Sequence, residues 1–157
     1  MAVELDNIDL RLLRELQEDA DRPNVELARL VGLSPAATLN RVRRLKESGV
    51  IRAISARLDS SAAGFPLQVY VSVALTRHDD PGDRRFKATV MEMPEVIAAD
   101  WVTGEIDAML LVVARDVAQL QRVLSLLSTK GGASRVVTLL RLEELKPASP
   151  LPLVATR

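Results

Sequence analysis

The sequence predicts an α+β protein in two parts, three short helices followed by strands and helices in the order βαββαβ. Three observations predict it. Over residues 1–50 the apolar side chains recur every three or four positions and are interrupted by turn signals. From Leu67 the period changes to strict alternation in "LQVYVSVALT", and later stretches switch between the two periods. Hydrophobic residues make up 48% of the 157, and cysteine is absent, so the chain has ample apolar material for packing and no disulfide framework or thiolate metal site.

In the first part, Asp6 offers an N-cap and Asp9 a first-turn acid, and Leu5, Ile8, Leu12 and Leu16 continue the helical spacing to about Asp19. "DADRP" breaks that helix. Asn24 is placed to cap a second one, with Leu27, Leu30 and Val31 on its apolar face and Gly32 at its end. In "GLSP", Ser34 is a strong N-cap and Pro35 takes the first helical position, where its missing N–H costs nothing. The third helix runs to Gly49, with Leu39, Val42 and Leu45 inward and Thr38 beside them.

Two short helices joined by a tight glycine-containing turn make a helix-turn-helix, whose second helix enters the major groove. The outward arc carries Ala36, Ala37, Asn40 and Arg44, flanked by Arg41 and Arg43. Small residues permit close approach, Asn pairs with adenine, and Arg grips guanine or phosphate. The expected contacts to double-stranded DNA are therefore Ser34, Ala36, Ala37, Asn40, Arg41, Arg43 and Arg44, with Arg52 on backbone phosphate. "VIRAISARLD" alternates like a strand, so the unit is read as a winged helix-turn-helix with a linker strand. Overall charge is zero, yet residues 1–33 hold four basic and eight acidic side chains while residues 34–59 hold six basic and two acidic ones. A duplex responds to the local field within about 10 Å, so this polarisation matters more than the total.

In the second part, Leu67, Val69, Val71, Val73 and Leu75 form one face of a strand. "DDPGD" turns the chain, and Phe86, Val90 and Met93 follow at helical spacing before Pro94. "VIAADWV" and "IDAMLLVVA", separated by "TGE", read as a hairpin. Asp116 caps a further helix with Val117, Leu120, Val123, Leu124 and Leu127 inward, and "SRVVTLLRLEEL" closes as the last strand. The order βαββαβ is that of a ferredoxin-like domain. The expected segments are a helix-turn-helix over 1–50, the linker strand over 51–65, the ferredoxin-like domain over 66–146 and an extended tail over 147–157. Helices cover only one face of such a sheet. Tyr70, Ser72 and Ala74 on the other face, with an almost wholly apolar third strand, predict homodimerisation through the sheets and further assembly.

An enzyme would need a convergent acid, base or nucleophile, and the candidates are Asp100, Glu105 with Asp107, and the "RHDD" run around His78. Each has a simpler role at a turn or strand, so neither catalysis nor a metal or cofactor is expected. "MAVELDNIDL" has no signal-peptide character and no segment reaches the roughly 20 apolar residues of a membrane span. The expected location is cytoplasmic, away from membranes.

Taken together, "LDNIDLRLLRELQEDADRPNVELARLVGLSPAATLNRVRRLKESGVIRA", "VTGEIDAMLLV" and "RLEELK" resemble the Lrp/AsnC family of leucine-responsive transcription regulators over nearly the whole chain. The resemblance implies a DNA-binding unit joined to a domain that dimerises and senses an amino-acid ligand, with the small-molecule site near a hairpin turn of pattern G-x-x-D. Gly104 and Asp107 match that pattern, Val102, Thr103 and Glu105 flank it, and Thr138 takes the place of a threonine in the last strand. Asp107 would hold the ligand's ammonium, loop N–H groups and a hydroxyl its carboxylate, and Met109 its side chain. Gly131 and Gly132 stand where the family commonly has proline and glycine. The competing expectation is an effector-independent architectural protein that bends or wraps DNA.

Overall fold

The computed structural model describes residues 4–76 and 80–153. It divides into two compact units, Met1–Ala56 with Lys146–Arg157, and Arg57–Leu145.

The first unit holds α1 (Asn7–Glu18), α2 (Asn24–Val31) and α3 (Pro35–Glu47). Asp6 accepts a hydrogen bond from the Asp9 N–H at 2.8 Å, and the Asp9 carboxylate accepts one from the Asp6 N–H at 3.1 Å. This reciprocal capping box satisfies two N–H groups that a helix start leaves unpaired. Pro23, not Asn24, occupies the cap position of α2; Asn24 is the first helical residue, and its amide donates to the Pro35 carbonyl at 2.9 Å. Ser34 caps α3 as expected, accepting from the Ala37 N–H at 3.2 Å.

Leu12, Leu27 and Val31 form the core of the three helices, with Ile8, Leu16, Leu33 and Val42 packed around them. Thr38 and Leu45 are wholly buried, whereas Leu39, expected inward, is 48% exposed. The reason is angular. Thr38, Val42 and Leu45 stand at i, i+4 and i+7 and define the inward line, and Leu39 lies about 100° around the helix from Thr38.

Two expectations about the connecting segments need correction. Residues 52–58 form no strand, because no other strand among the described residues pairs with them, and a strand's N–H and C=O groups need a neighbour. The tail has no helix or strand over 147–153 and is fastened to α1. Arg14 donates to the Leu153 carbonyl at 2.9 Å, and Gln17 accepts from the Leu151 N–H at 2.6 Å.

The second unit comprises β1 (Leu67–Leu75), α4 (Asp80–Met91), β2 (Val96–Trp101), β3 (Ala108–Ala114), α5 (Val117–Thr129) and β4 (Ala133–Leu140). The strands lie in the order β2-β3-β1-β4, every neighbouring pair antiparallel, which is the ferredoxin-like arrangement. The alternation in β1 lands as read: Val69, Val71 and Val73 are buried with Leu110, Val112, Phe86, Val123 and Leu127 beneath the two helices. Val117 is 62% exposed at the first position of α5, and Gln119 takes the inward place, accepting from the Arg115 N–H and donating to Glu95, both at 2.9 Å. β4 stops at Leu140, short of the expected run to Leu145. Its partner β1 begins at Leu67, and the Arg141 N–H makes the last bond across, to the Gln68 carbonyl at 3.0 Å.

The first glycine of the pair before β4 is tightly packed. A Cβ on Gly131 would lie 2.5 Å from the Leu127 carbonyl oxygen, so only glycine fits there. Arg85 completes the corner by donating to the Lys130 and Thr129 carbonyls at 2.6 and 3.0 Å, at the negative end of α5.

Candidate functional sites

On α3, the structure exposes Ala36, Asn40, Arg43 and Arg44 and leaves Ala37 half-buried. The Ser34 side chain is occupied as the cap, and Arg52 is exposed on the segment that follows. The three arginines differ sharply in what they touch. Arg41 donates to Asp6 at 2.6 Å and to Asp9 at 2.9 Å, and Arg44 pairs with the other oxygen of Asp9. Arg43 makes no ion pair among the described residues.

Asp9 is 1% exposed, which explains the arrangement. An ionised carboxylate is costly to bury unless it is paired and hydrogen-bonded, and Asp9 receives two guanidinium groups and the Asp6 N–H. The Asp9 N–H, and then the Arg41 guanidinium, hold the Asp6 carboxyl below the ordinary carboxylate value, and the Asp6 carboxylate, and then that of Asp9, raise the Arg41 guanidinium further. Arg41 and Arg44, expected at the DNA, are thus both engaged with Asp9 within the chain. Their side chains tie the third helix to the start of the first, whereas Arg43 and Lys46, exposed on the same helix, make no ion pair among the described residues.

At the other candidate site, the hairpin between β2 and β3 is closed by the Val102 N–H donating to the Asp107 carbonyl at 3.0 Å. Gly104 sits at φ +123°, a conformation L side chains rarely adopt. Val102, Thr103, Gly104 and Glu105 are exposed there together. Asp107 is half-buried, and its carboxylate accepts from the Leu75 N–H at 2.7 Å, so this group helps terminate β1. Met109 pairs with Ser72 on the sheet face that carries no helices. Thr138 pairs with the buried Val71 and so faces the helix side. Within one chain the hairpin residues come together, while Met109 and Thr138 stand on opposite faces of the sheet.

On the helix-free face, Tyr70 on β1 is flanked in register by Leu111 on β3 and Leu139 on β4, and Tyr70 and Leu139 are largely exposed. Asp100 is exposed on β2 opposite Met109, and His78 lies outside the described residues. Sequence reading took Asp6 and Asp9 only as caps and missed them as partners of the arginines. The signal was the opposite charge of residues 1–33 and 34–59.

No helix of the described residues is long and apolar enough to cross a membrane. Residues 5–46 match the AsnC-type helix-turn-helix domain, and residues 68–151 match the Lrp/AsnC ligand binding domain. The leucine-responsive regulatory protein of Rhizobium meliloti is 41% identical over 93% of this chain and 94% of its own length. The transcriptional regulator AldR of Mycolicibacterium smegmatis is 38% identical over 96% of this chain and 88% of its own. Among solved structures, a Neisseria meningitidis transcriptional regulator in complex with L-methionine superposes with a TM-score of 0.85 at 32% identity, covering 94% of this chain and 96% of that one. These relatives are transcriptional regulators, and the match extends over both units. The chain belongs to the Lrp/AsnC family of transcriptional regulators, with the family's helix-turn-helix and ligand-binding domains.

Proposed function

We propose that this protein is a sequence-reading DNA-binding regulator whose assembly or DNA affinity responds to an amino acid. The observation that carries the DNA half is the arc of Ala36, Asn40 and Arg43, exposed on a helix whose other side is held by Thr38, Val42 and Leu45. In a dimer, two such helices enter major grooves about 34 Å apart, Asn40 and Arg43 read base edges, and Arg52 meets phosphate. The dimer forms through the helix-free sheet face around Tyr70, Leu111 and Leu139, and further association follows from the same domain. Such a regulator works where the DNA is, in the cytoplasm.

The amino-acid half is supported by the ligand-binding domain and by the relatives solved with L-methionine. Ligand binding and assembly are linked, because a ligand that prefers one assembly state shifts the population toward it. The test combines a melting scan against the twenty amino acids with light scattering and DNA-binding titrations at several salt concentrations. A selective stabilisation, roughly 2.7 kcal/mol at 100 times the dissociation constant, with a change in mass, supports the sensing role. DNA binding with no response to any amino acid favours the architectural reading. Replacing Arg43 with alanine is expected to weaken DNA binding and lower the magnitude of its salt slope by about 1.

A further inference from the structure

The chain passes between its two units twice, once between Ala56 and Arg57 and once between Leu145 and Lys146, and its last segment packs with the three helices. Gln17 and Arg14 of α1 hold that segment by its main chain. The Gln17 side chain accepts from the Leu151 N–H at 2.6 Å and donates to the Leu151 carbonyl at 3.4 Å, so one amide grips both polar groups of one residue. Arg14 donates to the Leu153 carbonyl at 2.9 Å. The spacings agree, because positions three apart on a helix lie about 5–6 Å from each other and residues two apart in an extended chain about 6–7 Å.

The composition of the segment suits it to this role. Pro147, Pro150 and Pro152 fall within seven residues, 147–153. Proline fixes its own φ near about −65° and keeps the residue before it extended, so the segment is close to its docked shape beforehand and loses little freedom on docking. Proline also lacks an N–H, which leaves Leu151 the one main-chain donor from Pro150 to Pro152, and that donor goes to Gln17. The Leu151 side chain is 70% exposed, so the grip on this residue is polar and not apolar. Hydrogen bonds at the surface exchange readily for those of water, and a segment held in this way opens and closes without disturbing the helices beneath it.

We infer that residues 146–153 form a reversible strap, docked on α1 through Gln17 and Arg14, that gives the helix-turn-helix unit a second tie to the ligand-binding domain and raises DNA affinity when it is closed. A unit held by one flexible connection explores a large volume. A second tie narrows that volume, and so raises the fraction of time in which both helix-turn-helix units of a dimer meet their half-sites together. The strap begins six residues beyond Leu140, where β4 ends, so a shift of that strand has only a short length of chain in which to be absorbed before it reaches the strap. The inference rests on the reading of the protein as a DNA-binding regulator.

The test uses the full-length protein and a duplex that the wild type selects from a random-sequence pool. Three variants separate the contributions: Gln17→Ala removes the gripping amide, Leu151→Pro removes the gripped N–H while keeping the chain extended, and Leu151→Ala removes only the side chain. In nitrogen-15 relaxation the Leu153 amide is expected to be rigid in the wild type and in Leu151→Ala, with an order parameter of about 0.85, and to fall below about 0.6 in Gln17→Ala and Leu151→Pro. Those two variants are expected to bind the duplex at least about threefold more weakly, an effect of effective concentration and not of lost DNA contacts, while Leu151→Ala binds as the wild type does. A flexible Leu153 in the wild type overturns the strap outright, and loosening by Leu151→Ala as great as that by Leu151→Pro overturns the main-chain grip. If Leu153 is loosened and affinity for the duplex is unchanged, the strap has no bearing on DNA and the inference is overturned while the DNA-binding reading stands. If the wild type selects no duplex from the pool, that reading falls and this inference with it.

Discussion

The third helix and the helix-free end of the sheet both carry arginines, and the chain treats them in opposite ways. In the helical unit, Arg41 and Arg44 converge on Asp9, a carboxylate that is almost wholly buried, so the charges are neutralised inside the fold. In the sheet unit, Arg135 and Glu105 line the same recess with no ion pair among the described residues. A charge count treats these arginines alike. The difference teaches that a charged residue reports function only after its intramolecular partners have been subtracted, and that subtraction leaves Arg43 and Lys46 on the helix and Arg135 on the sheet.

The largest expected effect tests that contrast directly. Replacing both Arg41 and Arg44 with alanine leaves Asp9 buried without a guanidinium, a loss expected to cost about 3–5 kcal/mol in urea unfolding. Arg135→Ala, at an exposed guanidinium with no ion pair to lose, is expected to stay within about 0.5 kcal/mol of wild type. Comparable losses in the two proteins would erase the distinction between structural and available arginines. A smaller loss on the helix alone would mean that water reaches Asp9 once the guanidinium groups are gone.

A second effect, of intermediate size, sharpens the division within the sheet unit between Asp107 and Glu105. Asp107→Ala removes the acceptor of the Leu75 N–H beside a buried leucine, and a donor left unsatisfied there costs about 1–3 kcal/mol. Asp107→Asn keeps an acceptor oxygen and is expected to recover most of that stability in the same unfolding measurement. Alanine and asparagine variants both as stable as wild type would return Asp107 to the list of groups held in reserve for a ligand.

How much of this was legible in the sequence follows from the range of the interactions. The caps at Asp6 and Ser34, the alternation of β1 and the order βαββαβ depend on residues within a few positions of each other or on a repeating period, and these were read correctly. Leu39 was misplaced because Thr38, Leu39, Val42 and Leu45 share a helix of 13, and the choice of inward line depends on where the other helices lie. The pairing of Arg41 with Asp6 spans 35 positions, so it leaves no local pattern. The linker's alternation was real but has no partner strand among the described residues, and a period of two cannot say whether a neighbour is present.

The smallest expected effect concerns Asp6, at the solvent-facing edge of the same cluster. Its carboxyl is held below the ordinary value by the Asp9 N–H and then by Arg41, so the folded state favours the ionised form more than the unfolded state does. The sign follows from linkage. The contribution is full above the unfolded carboxylate value near ~3.9, and it is lost as pH falls below that and through the lower folded value. Asp6→Asn keeps an oxygen for the cap but loses the charge, so its melting temperature is expected to lie below wild type at pH 7 and to approach it as pH drops toward 3. Because the Asp6 side chain is 51% exposed, solvent and salt screen the pair, and the difference at pH 7 is expected to shrink in 1 M salt. A gap between the two proteins that is the same at pH 7 and pH 3 would place the contribution of Asp6 in its geometry as a cap, leaving Asp9 as the acid whose charge holds the third helix.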